Sequence, residues 1–565
     1  MRRYLALLLP ASILFAVFFY ASFFWNFNST LSLWSTGGFA WPHQMFHNFL
    51  HGRMLQSSLF ADPFLAGGSV GFTHNPYAYI NGSVIHINFT PYLFALIWSL
   101  FPTPAMIYGL IFAWNLLAGG LFSWLIIRKL ADKDAKEKTA FVIAIMLASG
   151  FLAILVQMAQ FLLFAGPFMM AGYYFFLIRK RAAFIAAIAA LCLVSEDSAM
   201  VAACFALYFA IFETEGRWYG AASALISIPY VLFLLIIIQP AARMDLTITS
   251  STTTSLVLGK IAILSPMLLI SNIKSMMPLA TLVPAFAAAV WIFGKPDRNR
   301  LISTAALAVL PSLPHWGECV VMGGAHHLLP PFVFSYIALL RIVGEGRQDT
   351  TEALKLRPGP IWTMTLLLFL ISTRVLAGNL PNSIKPRLYR LAGKTEKARL
   401  LEQSLAGTAK SNRSAIAAAA EIPIERSLVY LVNKSVEGWI TARSDIWRFP
   451  LLLDRADYAL IQKDAVDPTF TFDADSGEEP WDAFRRGRVP EGHDAPLTSA
   501  MLKMIRDELI GRTHEVVLEN SHVLLLKNLN PRPPLSAPST TGFGFLRKRT
   551  AVADVDWDRY VERTR

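Results

Sequence analysis

The sequence predicts a polytopic α-helical membrane protein with an α/β domain outside the membrane at its C-terminal end, and three observations carry that prediction. Of 565 residues, 54% are hydrophobic and 16% charged. A soluble domain carries about 25% charged residues, so much of this chain has no aqueous surface to cover. The apolar excess lies between Tyr4 and Gly378, and beyond it the composition is ordinary. The cations, finally, cluster in short segments between apolar runs, where they set orientation.

A span needs roughly 20 mostly apolar residues. Runs of that kind predict helices near 4–24, 106–130, 139–157, 158–178, 182–196, 198–213, 218–238, 275–294, 299–314, 327–343 and 359–377, about eleven in all. The first has the basic start and apolar body of a signal peptide, but its length and the spans that follow favour a retained helix. The pair 182–196 and 198–213 is short and reads as a tilted or re-entrant hairpin. With the N-terminus in the cytoplasm, cations divide about 18 to 4 between inner and outer segments. That bias orients the chain in the cytoplasmic (inner) membrane and puts the C-terminal domain on the periplasmic or extracellular side.

The expected organisation is a membrane domain over 1–378 with a long first outer loop at 25–105, an α/β domain over 379–530, and a flexible end at 531–565. Within the loop, Pro42 to Ser58 predicts an interfacial amphipathic helix, with Phe46, Phe49, Leu50 and Met54 among polar residues. The tail combines helical patterns (Lys394 to Leu405, Met501 to Ile510) with β-type runs starting at Ser427, Ala456, Glu515 and His522.

Several function classes are excluded. The net charge of +12 forms no basic stripe interleaved with aromatics, so nucleic acid is not an expected partner. Cys192, Cys204 and Cys319 have no metal-type spacing. No phosphate loop or dinucleotide fingerprint is present.

The sharpest polar signal is Ser195-Glu196-Asp197-Ser198, adjacent acids between two apolar runs. Acids at membrane depth are costly and point to function, although a solvated turn would read the same way. Asp62 is the first acid of the chain and lies in the long outer loop, as a general base for an incoming hydroxyl would. It is also an ordinary turn residue before Pro63. His43, His47 and His51 recur every four residues and share a helix face. A divalent metal on His43 and His47 is the one cofactor they suggest, against a merely polar face. Arg53 suits phosphate recognition. His326 and His327, after a glycine pair and near Glu318, could bind an anion or relay a proton.

The segments Asn48-Phe-Leu-His-Gly-Arg-Met-Leu-Gln-Ser-Ser-Leu, Phe89-Thr-Pro-Tyr-Leu-Phe, Ser195-Glu-Asp and the His-bearing entrance before Pro330 occur in this order. Together with Val429-Tyr-Leu-Val-Asn-Lys, Ala456-Asp-Tyr-Ala-Leu-Ile and Val523-Leu-Leu-Leu-Lys in the tail, they resemble the domain of unknown function 2079 family of predicted membrane proteins. That family looks like a branch of the C-type glycosyltransferase (GT-C) fold. The resemblance implies transfer of a sugar from a polyprenyl-phosphate donor to a glycan, lipid or protein acceptor on the outer membrane face. It maps the family's acidic pair onto Glu196 and Asp197. Family members also carry aspartates before the Asn-x-Leu-His-Gly-Arg segment, where this chain reads Thr36 to His47 without an acid. Asp62, His43 or the Glu196/Asp197 pair would then supply the base, and Arg53, His51, His326 and His327 the phosphate contacts. A non-catalytic protein that binds or transports a lipid-linked glycan is the second reading.

Overall fold

The computed structural model describes residues 10, 12–14, 16–17, 37–52, 89–131, 134–157, 161–234, 236, 276–294, 297–322, 326–346, 385–443, 445–448, 456–467, 495–496, 502–503, 506–507 and 509–531. The loop from 53 to 88, residues 241–274, the helix expected at 359–377 and the end beyond Pro531 lie outside these residues.

Helix α1 (Gly37–Leu50) precedes the bundle, followed by a 3₁₀ turn (Thr90–Phe94) that leads into α2 (Ala95–Trp98). Then come α3 (Pro104–Ala113), a π-turn (Trp114–Ala118) and α4 (Gly119–Leu130), continuous over 27 residues and long and apolar enough to cross a membrane. Next are α5 (Ala135–Ala148), α6 (Phe151–Gln157), α7 (Gly166–Leu177), α8 (Arg181–Cys192), α9 (Glu196–Phe212) and α10 (Arg217–Phe233). The bundle is completed by α11 (Met277–Ala280), α12 (Leu282–Phe293), α13 (Arg298–Val309), α14 (Leu313–Met322) and α15 (Leu329–Glu345). Their apolar side chains form one continuous core.

Two boundaries differ from the sequence expectation. The run placed at 299–314 continues to Met322, because Pro311 and Pro314 sit in the first turns of successive helical pieces, where no intrahelical N–H is lost. The turn of the expected hairpin falls at 193–195, so Glu196 opens α9 rather than ending the helix before it. Close packing replaces bulk where helices cross. A Cβ on Gly220 of α10 would stand 2.8 Å from the Ala206 carbonyl of α9, so the glycine lets the two backbones meet.

One end of the bundle is basic, and its buried cations, Arg341 and Lys138, have partners. Arg341 Nη1 donates to Glu213 (2.6 Å) and to the Tyr208 hydroxyl (2.8 Å), while Nε donates to Glu345 (3.1 Å). Tyr208 in turn donates to Glu213. Lys138 is buried and donates to the carbonyls of Gly344 (2.9 Å) and Gly346 (3.0 Å). These bonds tie the ends of α5, α9 and α15 together.

The tail begins with α16 (Lys385–Leu391) and α17 (Thr395–Ala420), the latter much longer than the pattern at 394–405 suggests because its second half is alanine-rich. The strands are β1 (Leu428–Leu431), then, after α18 (Lys434–Ile440), β2 (Ile446–Arg448), β3 (Tyr458–Gln462), β4 (Val466–Asp467), β5 (Ala495–Pro496), β6 (His514–Glu519) and β7 (Val523–Asn528). Five of them form a mixed sheet in the order β2-β1-β3-β7-β6, with β1 parallel to β2 and β3, and β7 antiparallel to its neighbours. Buried Gln462 ties the sheet to α17: its amide donates to Ser411 (2.8 Å) and Asn412 (3.0 Å) and accepts from the Asn433 N–H (2.9 Å).

Helix α1 is the joint between bundle and tail. His43, Phe46 and Phe49 face the bundle: His43 lies edge-on to Trp98 (5.1 Å), Phe46 stacks on Phe161 (5.2 Å) and Phe49 on Tyr92 (4.6 Å). The other side packs on α18, and Gln44 donates to the Arg443 carbonyl (3.2 Å). Arg443 itself donates to the carbonyls of Ala419, Ile422 and Pro423, closing the end of α17. The helix expected at Pro42 to Ser58 therefore spans Gly37–Leu50 and is not an interfacial one. Its polar residues His43, Gln44, His47 and Asn48 are buried between protein surfaces, and protein rather than lipid covers both faces.

Two expectations follow. Replacing Arg341 with Met leaves Glu213 without its cation in a poorly hydrated site and should cost about 3 kcal/mol. Arg179→Met, whose partner Glu215 is exposed, should cost less than about 1 kcal/mol; thermal melting in detergent compares the two. His43 is held at about 4, below its ordinary 6.5, because burial disfavours the imidazolium more than the carbonyl of Pro102 and the backbone of Gly438 favour it. A lowered histidine pKa stabilises the folded joint fully above pH 6.5, by about 3 kcal/mol, and this contribution is lost as pH falls from 6.5 toward 4. Hydrogen exchange over 37–50, corrected for intrinsic rate, should therefore rise across that window in the wild type and stay flat in His43→Gln. His514 in the tail is lowered to about 4 by burial as well, so the comparison between variants isolates His43.

Candidate functional site

At the end of α8 the N–H groups of Leu193 and Val194 serve the carbonyls of Ala189 and Leu191, and a segment from about 100 residues earlier supplies donors for those of Ala190 and Leu193. The N–H groups of Phe89 and Thr90 donate to the Leu193 carbonyl (2.8 and 2.9 Å), and the Thr90 hydroxyl donates to that of Ala190 (3.0 Å). This brings the Phe89-Thr-Pro and Ser195-Glu-Asp segments together. Ser195 caps α9: its Oγ accepts from the Ser198 N–H (3.2 Å) and lies 2.9 Å from the Ser198 hydroxyl. Glu196 and Asp197 occupy the first turn of α9, where the helix dipole favours negative charge. They are only 7% and 5% exposed, well below the exposure of a solvated turn.

Tyr230 of α10, which sequence reasoning did not single out, lies within electrostatic range of Glu196. Its hydroxyl is buried and has no hydrogen-bond partner among the described residues. A tyrosine in an apolar span gives no sequence signal of that kind. Beyond α14, His327 is buried, and its ring centroid lies 5.8 Å from that of buried His315. Sequence reading also passed over His315, whose only signal is an imidazole in an apolar run. The side chain of His326, like that of Glu318, lies outside the described residues, as do Arg53 and Asp62 altogether.

The three α1 histidines part company. His43 Nε2 donates to the Pro102 carbonyl (3.1 Å), whereas the His47 and His51 rings stack (4.1 Å). His51 is exposed at the end of the helix and bonds the His47 carbonyl through Nδ1 (2.8 Å). Among the described residues no three His, Cys, Asp or Glu side chains gather as a metal-binding group. Taken together, the described residues offer a pair of buried carboxylates at a capped helix start, a buried phenol beside them, and a separate imidazole pair. Such a set can accept a proton, hold hydroxyls and face an anion.

No curated protein matches the chain. Among solved structures, that of ArnT from Cupriavidus metallidurans bound to undecaprenyl phosphate is similar over 93% of this chain and 98% of its own, at 10% identity and a TM-score of 0.46. ArnT from the same organism in the apo state is similar over 92% and 98%, at 12% identity and a TM-score of 0.42. Both scores lie below 0.5, too distant a likeness to argue from. The family model described as "Predicted membrane protein (DUF2079)" matches residues 41–314, a stretch that holds most of α1, the Phe89-Thr-Pro segment and the acid pair.

Proposed function

We propose that the protein is a GT-C-like membrane glycosyltransferase, moving a sugar from a polyprenyl-phosphate donor to an acceptor hydroxyl on the outer face of the cytoplasmic membrane. The observation that carries the reading is the burial of Glu196 and Asp197 beside the docked Phe89–Thr90 segment. The donor class rests on the sequence resemblance. Two acids at one helix start, beside a segment from about 100 residues earlier, are buried rather than part of a surface turn.

In this reading the acceptor oxygen attacks the anomeric carbon while the bond from that carbon to the phosphate oxygen breaks, and the phosphate leaves with the electron pair. The acceptor proton passes to Glu196 or Asp197, with Asp62 from the first loop orienting the hydroxyl. Negative charge grows on the leaving phosphate, and Arg53, His51, His326 and His327 would stabilise it there. A lipid-phosphate donor brings its own leaving group, so no nucleotide site is required.

The double variant Glu196→Gln, Asp197→Asn keeps size and hydrogen bonding but removes both bases. Turnover should fall by about 10²-fold or more. A mass-spectrometric profile of polyprenyl-phosphate sugars in the host should then show one of them accumulating, at unchanged protein level and membrane insertion. An unchanged profile would overturn the assignment in favour of a non-catalytic protein that binds lipid-linked glycan.

A further inference from the structure

The 3₁₀ turn, α2 and the turn after them present a one-sided surface that nothing above uses. Leu93, Leu96, Ile97, Leu100 and Phe101 are 70, 62, 45, 69 and 67% exposed. Their spacing of three, one, three and one puts them along a single ridge. The opposite side, Thr90, Tyr92, Ala95 and Trp98, is buried against the protein. Five large apolar side chains in nine residues form a patch that a soluble surface does not tolerate.

We propose that this ridge is embedded among the acyl chains of the lipid leaflet on the side of the acid pair, as a membrane-interface helix. Three observations select lipid over a protein partner. First, the ridge ends at Phe101, and the span α3–α4 starts at Pro104, capped by Thr103, so the ridge sits at the mouth of a helix that crosses the membrane. Second, the polar side-chain groups within 93–101 are bonded inside the protein: the Ser99 hydroxyl donates to the Leu96 carbonyl (2.7 Å) and the Trp98 indole to the Thr103 carbonyl (3.3 Å). That is what a water-free surface requires. Third, no Asp, Glu, Lys or Arg occurs from residue 63 to residue 127. A protein interface has a polar, solvated rim, and this stretch has no charge with which to build one.

The embedding has a consequence for the site. Phe89 and Thr90, at the start of the ridge, are the residues that hold the end of α8. A ridge fixed in the leaflet therefore fixes the acid pair at the level of the lipid headgroups.

The test uses the full chain in phosphatidylcholine liposomes, with Cys192, Cys204 and Cys319 replaced by Ala. Single cysteines at Leu96, Leu100 and, as an aqueous control, Ile424 in the tail carry an environment-sensitive fluorophore. At 96 and 100 the emission should shift to the blue, be lost in liposomes of lipids brominated along the upper acyl chain, and survive aqueous iodide. At 424 the pattern should be the reverse. Quenching by iodide at 96 and 100 would overturn the proposal. So would insensitivity to both quenchers, which would mean that protein covers the ridge. None of these readouts depends on sugar transfer.

Discussion

Three hydrogen bonds at the end of one short helix organise this protein. In an apolar bundle the last carbonyls of a helix cannot turn to water, and each needs a donor from the chain itself. The carbonyls of Ala190 and Leu193 at the end of α8 find theirs in Phe89 and Thr90. That contact draws the segment before the long span onto the turn that precedes Glu196. The docked segment in turn offers Tyr92 and Trp98 as a platform for α1, and α1 offers Gln44 to the tail. Bundle, loop and tail are thus joined in sequence by the need to satisfy backbone polarity.

The two ends of the bundle handle charge differently. At the basic end Arg341 bridges Glu213 and Glu345, Arg300 also pairs with Glu345, and Lys138 is used up by two carbonyls. The low dielectric that makes such pairs strong also makes them rigid. At the other end Glu196 and Asp197 are buried in the first turn of α9, beside the Ser195 cap and at the positive end of the helix dipole. One end is closed by its own ion pairs, and the other buries two carboxylates at a helix start.

Much of the helical layout was legible, because a run of apolar residues between cations has few alternatives. The strands starting near Ser427, Ala456 and His522 were legible for the same reason: sheet strands buried on both faces read as short apolar runs. The run at 299–314 was taken to end at Pro314, since sequence pattern does not distinguish a proline in a first turn from one that stops a helix. Helix α1 was misread because a face covered by protein has the same pattern as one covered by lipid. The true one-sided ridge at 93–101 was hidden, since its buried side (Tyr92, Ala95, Trp98) is apolar too. The site was half legible. The acid pair announced itself by cost, but its meeting with Phe89 spans about 100 residues and leaves no local trace.

The charge-free stretch that holds the ridge also bears on how the protein is made. As the chain emerges during synthesis, nothing between Asp62 and Arg128 tells the insertion machinery which way to turn. The orienting signal arrives only with Arg128 and Lys129, after the whole of α3 and α4 has been synthesised. The span around Asn115 is therefore committed late, and a cation introduced upstream of it would compete for its direction before the folded protein could resist.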